Sequence, residues 1–450
     1  MSRIGALVLV IAFMVLARFA FDTEVVFADG KSTMTFGFLL LSAYLVGDVI
    51  SRFKLPKITG FILAGIFFGP HVLGLFSADT VRELKLIDDL ALTFIALAAG
   101  GELRLEELRQ RRKSITMTVF FQSVIVFLGV AAFAVAARSL LPFLDSGSLP
   151  QLLAVAALLG TFALARSPSS AIAIISECKS RGPFTETVLG VTVVMDLLVI
   201  IVFAAVVSLC QALVSPVGAM DFQFIIIVSA ELIGSILGGI ILGWVISLYI
   251  KYVKAELLVF ILGMAFMVTF SSKQFALFLD HFYSTRLHLE PMLICVTAGF
   301  WVRNFSRDGD LFMERIDRSS LPIYVIFFSL SGAALNIGAL SQTWLIAVLL
   351  VTVRCLLIWL GSYLGAASSG DPARHRQMSG LSYITQAGVS LGLTGIVMRS
   401  FPDWGPALAT TIVAIITLNQ IIGPIAFKFA LNTVGEAHAG PGWQSPPQGG

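Results

Sequence analysis

Val191–Ile200 reads VTVVMDLLVI and sets one carboxylate, Asp196, inside an apolar stretch running from about residue 185 to 211. As a helix, that stretch places Asp196 about 17 Å from its start, near the middle of a ~30 Å hydrocarbon layer. A charge there costs at least ~3 kcal/mol on insertion scales, so the carboxylate calls for a partner, a proton or an ion. The structural alternative is an acid held neutral or paired for packing.

Composition sets the surroundings of that stretch. The chain has 450 residues, 57% of them hydrophobic and only 13% charged, and its mean hydropathy is +0.92. Soluble domains carry about 25% charged residues, so this is a polytopic membrane protein. The net charge of +3 is spread over short basic clusters between apolar runs, which excludes a nucleic-acid surface and points to loop charges that set topology. Cys178, Cys210, Cys295 and Cys355 are too scattered for a zinc site or a disulfide framework. No GxGxxG or P-loop motif is present, no cofactor is implied, and no nucleophile–base set suggests an enzyme.

Outward from Asp196, fourteen apolar spans can be drawn: 4–20, 34–50, 57–76, 86–101, 114–137, 150–177, 185–212, 222–250, 256–272, 288–303, 319–340, 343–366, 378–398 and 406–428. With both termini in the cytoplasm, 20 of the 30 Lys and Arg residues fall on the cytoplasmic side, 7 on the other and 3 within spans. The first span follows a short basic start, but FDTEVVFADG after it lacks a small-residue cleavage pattern, so it reads as retained. Residues 429–450 are rich in Gly, Pro and polar side chains and read as a disordered tail. Gly234, Gly238, Gly239 and Gly243 in the eighth span suit close helix packing.

The sixth span contains TFALARSPSSAIAII, residues 161–175, which groups Arg166, Ser167, Pro168, Ser169 and Ser170 at membrane depth. Proline removes a backbone donor and frees a carbonyl one turn earlier, so the helix breaks there. The thirteenth span, GLSYITQAGVSLGLTGIV, is interrupted by Thr385, Gln386, Gly388 and Ser390. Spans seven apart cross in opposite directions, as an inverted repeat of spans 2–7 onto 9–14 requires. Arg354, at the centre of the twelfth span, then serves either to neutralise the crossing half-helix ends or to compete with an ion for a carboxylate.

In order and spacing these segments resemble the monovalent cation:proton antiporter superfamily, with its Kef-type potassium and Nha-type sodium branches, from about Leu39 to Phe427. KLPKITGFILAGIFFGPHVLG and LTFIALAAGGELRLEELR are similar to its early helices, and SPSSAIAIISE to its first broken helix. Asp196 matches the ion-carrying aspartate, Arg354 the basic residue of the second core half, and QAGVSLGL the second broken helix.

The resemblance implies an Nha-type fold: a homodimer in the cell (inner) membrane, with core helices at about 114–212 and 343–428 and dimerisation helices in the remainder of 34–428. Residues 1–33 would add an extra N-terminal helix. It implies exchange of Na⁺ or K⁺ for H⁺ at Asp196, and because Met195 cannot titrate and no second acid lies within a helical turn, the exchange is expected to be electroneutral, one cation for one proton. The other ligands would be the oxygens of Thr192, Ser167, Ser169 or Ser170, with Thr385, Gln386 and Ser390 at the second break.

The chain departs from the family in four places. Met195 replaces the usual Asn, Asp or Gln, Arg166 a small polar residue, Ser167 an Asp, and Val191 a Glu. One acid is left with two nearby bases. If Arg166 paired permanently with Asp196, the scaffold would suit an anion or organic acid instead. A non-transporting sensor is the remaining reading.

Overall fold

The computed structural model describes residues 5–437, apart from 6, 9, 13, 16–27, 142–147, 215–221, 254–255, 284–288, 336 and 387–388. Among these the chain is all helical, with sixteen α-helices. In chain order they are α1 (Ala28–Ser51), α2 (Lys57–Phe68), α3 (Ala78–Glu83), α4 (Lys85–Glu102), α5 (Leu105–Ala136), α6 (Leu149–Leu164), α7 (Pro168–Cys178) and α8 (Pro183–Val214). They continue as α9 (Phe222–Tyr252), α10 (Leu257–Tyr283), α11 (Pro291–Phe305), α12 (Gly309–Ala333), α13 (Ile337–Ser369), α14 (Ala373–Met378), α15 (Val389–Ser400) and α16 (Gly405–Val434).

Each apolar stretch from 34–50 onward holds a helix, and two hold broken pairs. Seven segments of the described residues are long and apolar enough to cross a membrane by themselves. The others are short, such as α2 with 12 residues and α11 with 15, or charged at one end, as α12 is in GDLFMERIDRSS. Of the N-terminal span, the described residues among 5–15 are helical, and Met14 is buried in the main core. The proposed tail boundary at 429 is corrected: α16 runs on to Val434, and Glu436 is buried. Residues 438–450 lie outside the described ones.

Packing divides the helices into two groups. In one, α4 packs on α11 and α12, α11 on α9, and α2 on α1 and α12. In the other, α5 packs on α13, α6 and α8, while α16 packs on α13 and α15. The groups meet where α7 touches α4 and α2, where α9 touches α8, and where α16 touches α2.

Missing side chains allow the tightest approaches. A Cβ on Gly239 would stand 2.5 Å from Thr297 Cβ, and one on Gly243 2.6 Å from Trp301 Cβ, so the glycines of α9 face α11 closely. Gly100 and Gly299 allow the same between α4 and α11, each meeting backbone of the other helix. Without a hydrophobic driving force in lipid, such van der Waals contact is what holds helices together.

One end of the molecule carries two carboxylates that cap helices of other segments. Both oxygens of Glu177 accept from the Lys57 amide that opens α2, at 3.0 and 2.9 Å, and Lys428 Nζ donates to Glu177 Oε1 at 2.9 Å. Glu436 accepts from the Phe184 and Thr185 amides at the start of α8, both at 2.8 Å, and from the Thr185 hydroxyl at 2.7 Å. A carboxylate at a helix N-terminus satisfies orphan donors and complements the dipole.

Candidate functional site

The first break follows from Pro168. The chain leaves α6 in extended conformation at Ala165 and Ser167, then re-enters a helix with Pro168 at its first position and Ser167 as N-cap, whose Oγ accepts from the Ser170 amide at 3.2 Å. The second break lies between a 3₁₀ turn, Ser379–Tyr383, and α15. Gly423 of α16 lets the two segments meet, since a Cβ there would stand 2.7 Å from the Thr385 amide.

Two buried arginines hold the carbonyls these breaks release. Arg354 donates from Nε to Ala163 O at 3.0 Å, from Nη2 to Ala165 O at 2.9 Å, and from Nη1 to Ile384 O at 2.8 Å. It therefore bridges the C-terminal ends of both interrupted segments. Arg166 donates to Ala163 O at 2.8 Å, to Ala165 O at 2.9 Å and to Gln122 Oε1 at 3.1 Å. The considered pairing of Arg166 with Asp196 is absent: the guanidinium turns toward α5 and the crossing, and the premise of an anion carrier goes with it. Carbonyl oxygens at half-helix ends carry partial negative charge, which is what draws two cations here.

Asp196 stands apart from both arginines. Its Oδ1 is buried without a hydrogen-bonding partner. With Val193, Leu197 and Ile200 it forms one stripe of α8 facing a cavity of about 30 Å³. Pro168 and Ser169 line the same cavity from α7, Ala96 and Ala99 from α4, and Glu290, Met292, Leu293 and Val296 from the start of α11. That volume is enough to admit water. Met195 points away, its sulfur accepting from Ser123 Oγ at 3.5 Å, so the thioether is not turned to the cavity.

Of the ligand candidates, Asp196 and Ser169 line the cavity; Thr192, Ser167 and Ser170 do not. The Thr192 hydroxyl donates back to Val188 O at 2.8 Å. Ser167 Oγ lies 3.1 Å from Ser169 Oγ and 2.9 Å from Ser170 Oγ, so the serines bond among themselves. At the second break Gln386 donates to Phe162 O at 2.6 Å and accepts from Asn419 at 2.7 Å, a brace between the two breaks. Thr385 and Ser390 are buried there too, away from the Asp196 cavity.

Glu290, Gln122 and Asn419 are the polar residues the sequence reading passed over. Only Glu290 left a signal, an acid beside proline at the head of a short span.

A wider cavity of about 410 Å³ opens at the end of the molecule that holds the Glu436 cap. It is lined by Glu102, Glu107, Glu186, Asp310, Glu314 and Asp317 against Arg104, Arg181 and Arg303. Arg303 donates to Asp310 Oδ1 at 2.6 Å and holds that carboxyl below the usual carboxylate range. Six acids against three arginines leave this cavity with a surplus of acidic side chains.

The family described as sodium/hydrogen exchanger, transmembrane, matches residues 37–433. The Na⁺/H⁺-K⁺ antiporter GerN of Bacillus cereus is 24% identical over 413 residues, 89% of this chain and 96% of that protein. The probable Na⁺/H⁺ antiporter GerT of the same organism is 26% identical over 367 residues, 78% of this chain and 87% of its own. In fold, the chain is similar to the sodium proton antiporter MjNhaP1 of Methanocaldococcus jannaschii at pH 8. The TM-score is 0.65 at 17% identity, covering 90% of this chain and 99% of that one.

Proposed function

The chain belongs to the family of transmembrane sodium/hydrogen exchangers, and from that premise we propose that it exchanges Na⁺ or K⁺ for H⁺ by competition at Asp196. The observation that carries this is the buried, unpartnered Asp196 Oδ1 at a cavity of about 30 Å³, while Arg166 and Arg354 are both engaged by backbone carbonyls. A carboxylate so placed accepts a proton or a cation, and each excludes the other. Oxygen suits a hard alkali ion, and Ser169 with water completes the shell. The names of GerT and GerN support Na⁺ and K⁺ as the ions.

Access switches when the group of α5–α8 and α13–α16 moves against the group of α1, α2, α4 and α9–α12. The latter would form the homodimer contact, for which the exposed Leu237, Ile241 and Trp244 of α9 offer apolar surface. The basic-residue distribution supports cytoplasmic termini, and with them a 410 Å³ vestibule that opens to the cytoplasm. Proteoliposomes given Na⁺, K⁺ and Li⁺ separately test the reading. The parent should acidify or alkalinise the lumen with at least one of them, and Asp196→Asn should abolish exchange with expression unchanged. Cation-dependent proton flux in that variant sinks the assignment.

A further inference from the structure

Glu290 is the N-cap residue of α11, a helix of only 15 residues. At 1.5 Å per residue that is about 22 Å, short of a ~30 Å hydrocarbon layer, so one end of α11 starts within it. Its neighbours fix which end. The Glu290 amide donates to Ser235 Oγ at 2.9 Å, and Ser235 stands about 20 Å along α9. The Leu289 carbonyl accepts from Ser272, in the middle stretch of α10. Glu290 is therefore an intramembrane acid, a placement that proteins retain for function.

It lines the same cavity as Asp196 but comes from the other helix group. Asp196, Pro168 and Ser169 belong to one helix group; Glu290, Met292, Leu293 and Val296 belong to the other. No Lys, Arg or His lines the cavity. The Met292 amide donates a hydrogen bond to Glu290, and the charged groups that couple to it, Glu231, Asp89 and Asp196, are all acids. Two carboxylates thus line one apolar pocket with no base to neutralise them, and Asp196 Oδ1 is without a hydrogen-bonding partner.

We propose that Glu290 is the second carboxylate of the transport site, and that the Asp196–Glu290 pair holds one positive charge at a time. This rests on the exchange reading above. The charge is either a proton shared between the two carboxyl groups or one alkali cation bridging them. Like-charged carboxyls at close range do not both ionise in an apolar site, which is why such a dyad keeps a proton.

The step balances simply. When the cation enters, the O–H bond of the shared proton breaks to water and the cation takes its place; when the cation leaves, a proton from water restores the O–H bond. The pair carries net one negative charge in both states, so one cation exchanges for one proton. A pair emptied of both would carry two negative charges facing each other across the moving interface, and their repulsion opposes passage of the empty carrier. Glu290 would in this way enforce coupling as well as bind.

The test uses the full-length protein in proteoliposomes and, separately, Na⁺ and K⁺ binding to detergent-solubilised protein by calorimetry. Glu290→Gln should keep its melting temperature, lose cation affinity by about tenfold or more as a charged ligand is removed, and show cation flux no longer matched by proton flux. Glu290→Asp should keep matched fluxes with a smaller loss of affinity. Ser235→Ala, which removes the bond to the Glu290 amide and leaves the carboxylate, should bind as the parent does.

Parental affinity and matched fluxes in Glu290→Gln overturn the proposal. So does a Ser235→Ala variant that loses affinity as Glu290→Gln does, since the effect would then be structural. Should Glu290→Gln fail to fold, Glu290→Asp decides: affinity and coupling both unchanged there, with one methylene removed, also overturn it. Asp196→Asn, run beside them, separates the two readings. Exchange surviving in that variant defeats the Asp196 site itself, whereas its loss together with a parental Glu290→Gln defeats only the pair.

Discussion

Arg354 joins two interrupted segments with one side chain: its three nitrogens reach three carbonyls. Lysine offers a point charge on a flexible stem and cannot span both breaks. Arg354→Lys should therefore retain partial exchange with a lowered melting temperature. Arg354→Ala strands the Ile384 carbonyl and leaves Ala163 O and Ala165 O to Arg166 alone, which should cost about 1–3 kcal/mol, read as loss of thermal stability in detergent. A melting temperature equal to the parent's would remove Arg354 from the crossing. Met195 shows the same scale from the other side. Its sulfur meets Ser123 on α5, because adjacent helical positions point about 100° apart. A substitution beside the key acid thus leaves the cavity unchanged, and Met195→Leu should keep the parental cation affinity in the calorimeter.

Among elements, α8 depends on a residue far along the chain. Glu436→Gln keeps the shape but removes the charge that two amides and a hydroxyl share, and should cost about 1–2 kcal/mol in melting experiments. Gly182→Ala should do similar harm, because φ is +143° there and a Cβ would stand 2.6 Å from Glu436 Cδ. The short α14 lies alongside, with His375 edge-on to Phe184 at 5.3 Å. Burial holds that imidazole below its ordinary range, so it is more readily charged in the unfolded chain. Protonation then favours unfolding, and stability falls as pH drops below the usual imidazole value. His375→Gln should lose less melting temperature than the parent between neutral pH and about pH 5.5.

These elements also show what the sequence disclosed. Apolar runs and Pro168 announced the spans and the first break, because burial in lipid leaves few alternatives to a helix. The length of α16 and the partners of Arg166 were hidden, since Gln122 and Glu436 act across 44 and 251 residues with no local pattern to mark them. Glu290 was hidden differently: beside Pro291 it looked like the edge of a span, whereas α11 starts at depth.

For the molecule as a whole, a pair of carboxylates that trades one proton for one cation moves no net charge. Exchange should reverse at equal cation and proton gradients whatever membrane potential is imposed, and a reversal point that shifts with voltage in proteoliposomes would count against the one-for-one reading. The Glu177 clasp joins the two helix groups, since Glu177 and Lys428 belong to one and Lys57 to the other. Glu177→Gln should loosen that face and raise hydrogen exchange at the Lys57 amide. The Glu436 cap has a further consequence, for synthesis. Thr185 and Glu436 are 251 residues apart, and a ribosome adding about 5–20 residues per second needs roughly 13–50 s to travel between them. Through that interval the helix bearing Asp196 sits in the bilayer without its cap. A chain stalled partway would hold the acid on a helix whose first amides lack the Glu436 carboxylate.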